Sequence, residues 1–382
     1  MAMADSLCFR ALFQLLFLSG LVVQILSLRV GINYGQIGDN LPTPAQVAVL
    51  LESNSISKVK LYDADPNVLQ AFSGSNVEFI VEVGNNYLQS MTNSNNALAW
   101  LKQYVQPYIA KTKINCITVG NEVFASNDSQ LMSYVLPAMQ NIYNGLVSLG
   151  LNDQINVSSA HSLAILATSY PPSSGTFEQS LAQYIQPILS FHSQIKSPFL
   201  INAYPYFAYK ASPSQISLPY VLFESNSGVT DSNTNLKYDN MLYAQIDAVY
   251  SAMKVMGYTD IEVRISETGW PSKGDADEAG ATPANARLYN GNLLQRIEEK
   301  QGTPMKPSTP IDVYIFALFN EDLKPGPTSE RNYGLYYPNC TSVYEIDLQG
   351  YLSQRTTSSA SSIKVISIST LLIFFTALLI SI

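Results

Sequence analysis

The chain has 382 residues, 47% of them hydrophobic and 13% charged, with a net charge of −8. That length allows one catalytic-size core of about 300 residues once the ends are set aside. Lys and Arg are scattered without a basic run, which argues against nucleic acid and favours a neutral or basic ligand. Three cysteines, one of them Cys8 inside the apolar N-terminal segment, are too few for a disulfide framework; Cys116 and Cys340 are expected as free thiols.

Arg10 is followed by ALFQLLFLSGLVVQIL, an apolar run of signal-peptide length. Residues 1–28 are therefore read as a secretory signal ending near Ser27, with a membrane anchor as the alternative. From residue 30 onward, short apolar runs alternate with helix-length stretches, the mark of a parallel sheet with helices outside it. The runs are Val30 to Tyr34, Val59 to Tyr62, Val77 to Val83, Ile114 to Val119, Ile155 to Ser159, Pro198 to Tyr204, Ile261 to Ser266 and Ile311 to Phe319. Eight such strands predict an α/β fold, a (β/α)8 TIM barrel forming one catalytic domain over residues 29–352.

Helices are expected over Thr43 to Glu52, Ala97 to Ile109, Gln130 to Leu149, Phe177 to His192, Tyr238 to Met256 and Pro283 to Lys300. Thr43 before Pro44 and Thr282 before Pro283 read as N-caps followed by proline in the first turn. The connection from Asp65 to Gly74 is too short for a long helix. Tyr209 to Tyr238, rich in Ser, Asn and Tyr, is read as an excursion on the catalytic face that walls one end of a cleft.

After Tyr351 the chain becomes small and polar, SQRTTSSASS, and residues 363–382 then form an apolar tail. That order fits a glycosylphosphatidylinositol attachment signal, with a linker at 353–362 and Ser358 among the candidate attachment positions; a tail-anchored helix is the alternative. Sequons at Asn127, Asn156 and Asn339 agree with a secreted chain.

Two strand ends carry chemistry. Val263 to Ser272 reads VRISETGWPS: Val263, Ile265 and Glu267 share a face at period two, and Gly269 and Pro271 stop the strand directly after. Ile114 to Val123 reads INCITVGNEV and ends on Asn121 and Glu122, with Cys116, Thr118, Gly120 and Glu122 on one face. Strands four and seven of a closed barrel converge on one mouth, and paired carboxylates there suit glycoside hydrolysis.

These two motifs resemble the signatures of the plant family 17 glycoside hydrolases, the endo-1,3-β-glucanases, and the resemblance covers nearly everything between Arg29 and Leu352. It implies a retaining mechanism on 1,3-β-glucan, with Glu267 as nucleophile and Glu122 as acid and base, their carboxyl groups about 5 to 5.5 Å apart. It also implies supporting roles for Glu321 and Lys324 in FNEDLK, the lysine holding Glu267 ionised. Asp322 and Leu323 stand where many relatives have Asn and Trp. The cysteines of an appended carbohydrate-binding module are missing.

Aromatics at the strand ends offer faces for sugar rings, and Tyr34, Tyr204 and Trp270 are taken as subsite residues, with Asn121 as a hydrogen-bonding partner. Trp270 equally suits a plug behind Glu267. His161 has no readable triad partner and is read as structural. No metal-ligand spacing and no phosphate loop occurs, so no cofactor is implied. Cleavage of 1,3;1,4-β-glucan, transglycosylation and an inactive glucan-binding wall protein stand as alternatives, and a monomer is the default.

Overall fold

Runs rich in Val, Ile and Phe supply the eight strands: β1 (Val30–Asn33), β2 (Lys58–Lys60), β3 (Glu78–Val83), β4 (Lys113–Asn121), β5 (Asn156–Ser162), β6 (Phe199–Asn202), β7 (Val263–Thr268) and β8 (Val313–Ile315). In the computed structural model, which describes residues 30–346, they close into one barrel in sequence order, and β8 returns to β1 with Val313 beside Val30. All its pairings are parallel. The (β/α)8 barrel expected from the alternation is the fold observed.

The helices that pack outside are α1 (Pro44–Ser53), α2 (Pro66–Ala71), α3 (Ser94–Tyr104), α4 (Ser129–Leu149), α5 (Ala182–Ile195), α6 (Met241–Val255) and α7 (Pro283–Glu298). Thr43 and Gln46 form a reciprocal capping box at the start of α1, and Thr282 accepts from Asn285 N at the start of α7. Each such cap stabilises its helix by about 1 kcal/mol. As the short connection requires, α2 has only six residues. Between β5 and α5 a small hairpin pairs Leu166–Thr168 with Thr176–Phe177, so α5 starts at Ala182 and not at Phe177.

Tyr314 lies across the barrel floor against Ile80 and Cys116. A methyl group on Gly31 would come 2.2 Å from its ring, so only glycine fits there. Cys116 points inward as expected, and burial pushes its thiol up to about 12; Cys116 and Cys340 are both free. Residues 1–28, the linker at 353–362 with Ser358, and the tail at 363–382 lie outside the described residues; among the described residues no helix is long and apolar enough to cross a membrane. Of the sequons, Asn127 and Asn339 are exposed in loops, whereas Asn156 opens β5 and is half-buried.

Above the barrel mouth, Glu278 ties the loop after β7 to the loop after β8. Lys210 Nζ lies 2.9 Å from its Oε1, and the backbone N–H groups of Asp275 and Ser329 donate to Oε2 at 3.0 and 2.9 Å. Burial alone would raise this carboxyl, but those donors together bring it down to about 2. A carboxyl held below its unfolded value stabilises the fold above the unfolded pKa, and that contribution fades as pH falls toward the folded one. Glu278→Gln is expected to lower Tm at pH 6 and to flatten the loss of Tm between about pH 4.5 and pH 2, measured by calorimetry against the parent chain.

Candidate active site

Both carboxylates expected at the mouth sit where the sheet departs from regular pairing. Along β7, Val263, Arg264 and Ile265 oppose Phe199, Leu200 and Ile201, but Asn202 is opposed by Glu267, one residue late. The pairing with β8 slips at the same place, from Ile265 beside Val313 to Thr268 beside Ile315. One extra residue turns the following side chains to the other face. Glu267 therefore does not share the face of Val263 and Ile265, as period-two alternation predicts; it shares that of Asn202.

β4 is bulged in the same way: Thr118 opposes Ser158, and Asn121 in place of Gly120 opposes Ala160. Within that bulge Gly120 has φ +78°, and Glu122 just past it has φ +52°, a left-handed conformation uncommon outside glycine. The face expected to run from Cys116 to Glu122 is broken after Thr118. Asn85 clamps the distorted segment, accepting from Asn121 N at 2.8 Å and donating to Asn121 O at 2.9 Å.

Glu122 and Glu267 line one cleft of about 310 Å³ with Tyr62, Asn121, Tyr204 and Phe207. Their surroundings are opposed. Glu267 is 6% exposed, with Lys60 Nζ 3.3 Å from Oε1 and the Tyr204 hydroxyl donating to Oε2 at 2.8 Å. Both oxygens thus face donors, a pattern that an ionised carboxylate satisfies. Glu122 accepts only Asn202 Nδ2, at 3.0 Å, among its described side-chain partners. Burial pushes its carboxyl above the ordinary range and the Glu267 charge adds to this, against the opposing pull of Asn202 and Lys60.

Asn202 links the two. Ser266 Oγ donates to its Oδ1 at 2.6 Å, leaving Nδ2 to reach both Asn121 Oδ1 at 3.2 Å and Glu122. Neither the sequence motifs nor the spacing singled out Asn202; an Asn closing an apolar strand is the signal that was there to be used.

Other expected residues divide. Tyr204 and Asn121 lie in the cleft, as do Glu321 and Lys324. Glu321 is 3% exposed and accepts from Ile37 N at 2.8 Å; burial raises its carboxyl, and Gly35 leaves room for it, since a Cβ there would fall 2.4 Å from Oε1. Lys324 pairs with Glu330 at 3.7 Å and lies over the Phe316 ring, so the ammonium in contact with Glu267 is that of Lys60. Trp270 is fully buried: its Nε1 donates to Gly280 O at 2.8 Å and its ring packs on Tyr206 and Tyr289. With no face open it cannot stack on a sugar, and it is a plug behind Glu267. Tyr34 is likewise consumed by packing, 2% exposed and edge-on to Phe319.

Lys60 and Glu82 were not anticipated. Lys60 is fully buried, 3.7 Å from Glu82 Oε2 and 3.8 Å above the Tyr62 ring, while Thr118 Oγ1 donates to Glu82 at 3.2 Å. Burial pushes Glu82 up to about 7, a rise that Lys60 limits. The available signal was a charge inside each of two apolar runs, KVKLY and EFIVEV, because a charge on a barrel strand must be matched inside. His161 is structural as expected: burial lowers it to about 3, and its ring stacks on Phe199 at 4.6 Å. Among the described residues no group of His, Cys, Asp and Glu is arranged to hold a metal ion.

Removing one partner of a buried charge cluster leaves the others unmatched. Lys60→Met is expected to cost about 3 to 5 kcal/mol of stability near pH 7.5 and less at pH 5, where Glu82 carries its own proton. Urea unfolding at the two pH values would measure this.

The profile of Glycosyl hydrolases family 17 matches residues 30–348. The chain is 60% identical to glucan endo-1,3-beta-glucosidase 14 of Arabidopsis thaliana, over 95% of this chain and 93% of that protein. It is 54% identical to glucan endo-1,3-beta-glucosidase 11 of the same plant, over 87% and 79%. Among solved structures, a beta-1,3-glucanase and allergen of Cryptomeria japonica pollen matches with TM-score 0.80 and 39% identity, over 84% of this chain and 98% of that one. A structure from a study of two plant beta-glucan endohydrolases with distinct substrate specificities matches with TM-score 0.77 and 36% identity, over 83% and 99%.

Proposed function

This chain belongs to glycosyl hydrolase family 17 and is a glycoside hydrolase, and from that premise we propose that it cleaves internal 1,3-β-D-glucan linkages with retention of configuration. One observation carries the mechanism: two carboxylates share a cleft, one facing an ammonium and a phenol, the other half-buried against an amide. The linkage follows the names of two glucan endo-1,3-beta-glucosidases to which it is 60% and 54% identical.

In the first displacement an oxygen of Glu267 bonds to the anomeric carbon as the bond from that carbon to the glycosidic oxygen breaks. Glu122 transfers its proton to the departing oxygen. Its raised proton affinity, from burial and from Glu267, suits a group that must still be protonated in weak acid. Once Glu267 is esterified its negative charge is gone, and the repulsion that favoured the protonated Glu122 goes with it. Glu122 is then free to take a proton from water, whose oxygen displaces Glu267 from the sugar. Asn121 and the Tyr204 ring offer a hydrogen bond and an apolar face to the bound glucose.

Outside the cleft, the apolar first segment, the small-residue linker with Ser358 and the apolar tail support a secreted protein held by a lipid on the outer face of the plasma membrane, or in the cell wall. Exposed sequons at Asn127 and Asn339 agree with that route. Phosphatidylinositol-specific phospholipase C is expected to release the protein from plant membranes; retention in the membrane pellet would count against the lipid anchor.

Product analysis tests the chemistry. Linear 1,3-β-glucan is expected to yield oligosaccharides whose first-formed ends are β by NMR, with mixed-linkage 1,3;1,4-β-glucan cleaved poorly; α-configured first products would overturn the role of Glu267. Glu122→Gln should lower kcat on the polymer by about 10² to 10⁴-fold and remove the alkaline limb of the pH profile. An aryl glucoside oligomer, whose leaving group needs no proton, should recover the burst of the first step in that variant.

A further inference from the structure

We propose a second carbohydrate pocket beside the catalytic cleft, walled by the excursion after β6, which holds the glucan chain as it runs on past Phe207. It rests on the glucan reading given above. The pocket has a volume of about 680 Å³, larger than the cleft. Its lining contains Tyr170, Gln215, Tyr220, Asn226 and Gln245 but no Asp, Glu, Lys, Arg or His. In a chain carrying a net charge of −8, a cavity of that size without a carboxylate, ammonium, guanidinium or imidazole offers no counter-charge to an ionic ligand and suits a neutral one. Amides, hydroxyls and phenol rings are the groups that recognise a neutral polyhydroxyl chain, through hydrogen bonds to its rim and stacking on its CH faces.

The walls are held in place before any ligand arrives. Asp231 accepts from both the backbone N and the Oγ of Ser173, each at 2.8 Å, pinning the loop that carries Tyr170 to the excursion. Asn226 bridges Glu224 O and Asp239 O, and its Oδ1 accepts from Gly228 N at 2.7 Å. A preformed pocket binds with little ordering cost. At its rim Tyr170 is 70% exposed, a large ring left open to solvent.

Position gives the occupant. The short helix Pro205–Ala211 presents Phe207, 45% exposed, to the catalytic cleft and the next residue, Ala208, to this pocket. A chain leaving the cleft over Phe207 therefore meets the pocket directly. The excursion expected to wall the cleft thus builds a separate site next to it.

Two variants test this on the full-length protein: Tyr170→Ala, which removes the open ring, and Ser227→Trp, which fills the pocket from an exposed wall position. Turnover is compared on a long soluble 1,3-β-glucan and on a 1,3-β-linked glucotetraose. For each variant the ratio of kcat/KM on the long chain to that on the tetraose is expected to fall about tenfold, through KM, equivalent to about 1.4 kcal/mol. An unchanged ratio in both variants overturns the second pocket. Binding is read independently of turnover, as retardation in gels containing the long glucan, with Glu267→Gln as the background. Adding Tyr170→Ala should reduce the retardation; equal retardation overturns the pocket. A wild-type protein that cleaves neither substrate while the gel effect persists would sink the hydrolase reading and leave the pocket standing.

Discussion

The buried ammonium of Lys60 is the constraint on which the site depends. A charge removed from water costs several kcal/mol unless it is matched, and Lys60 is matched only because three segments place partners around it: Tyr62 just past β2, Glu82 on β3 and Glu267 on β7. β2 and β7 are separated in the sheet by β1 and β8, so the contact runs across the barrel interior. It exists only in the closed barrel. The side chain that completes the electrostatics of the interior is the same one that faces Glu267.

From that contact follows the difference between the two carboxylates. Glu267 meets Lys60 and the Tyr204 hydroxyl, whereas Glu122, held in a left-handed turn, meets the amide of Asn202. Two chemically identical groups in one cleft thus meet different neighbours, and burial together with the Glu267 charge raises the carboxyl of Glu122. Asn202 cannot turn over without breaking its bond from Ser266, so the same network that serves Glu122 is anchored to the strand of Glu267. Strand bulges on both β4 and β7 deliver the side chains, and such backbone departures concentrate where function needs a side chain re-aimed.

Much of this was legible in the chain. Eight apolar runs alternating with helix-length stretches point to an eight-stranded parallel barrel, in which both faces of each strand are buried. Threonine before proline marks helix starts because a hydroxyl satisfies an orphan N–H where proline lacks one. Glu122 and Glu267 are identifiable because each closes an apolar run, with Gly269 and Pro271 breaking the chain after Glu267, and the reading of His161 as structural needs only the absence of partners. These are local properties, carried by residue type and spacing within a few positions.

What the sequence could not decide is where local periodicity meets its neighbours. Period-two alternation assigns Glu267 to the face of Ile265, but register with β6 and β8 inserts one residue and reverses it. Aromatic residues at strand ends look alike in a sequence, yet Tyr204 opens onto the cleft while Trp270 and Tyr34 are sealed in packing, a distinction set by rings contributed from distant segments. Lys324 and Lys60 are both lysines near strand ends; which of them touches Glu267 depends on the route across the barrel. Residue chemistry and spacing determined the fold and the pair of carboxylates, because those signals are local. Register, burial and the choice of counter-charge belong to the tertiary structure, because each is a relation between segments that only closure of the barrel brings into contact.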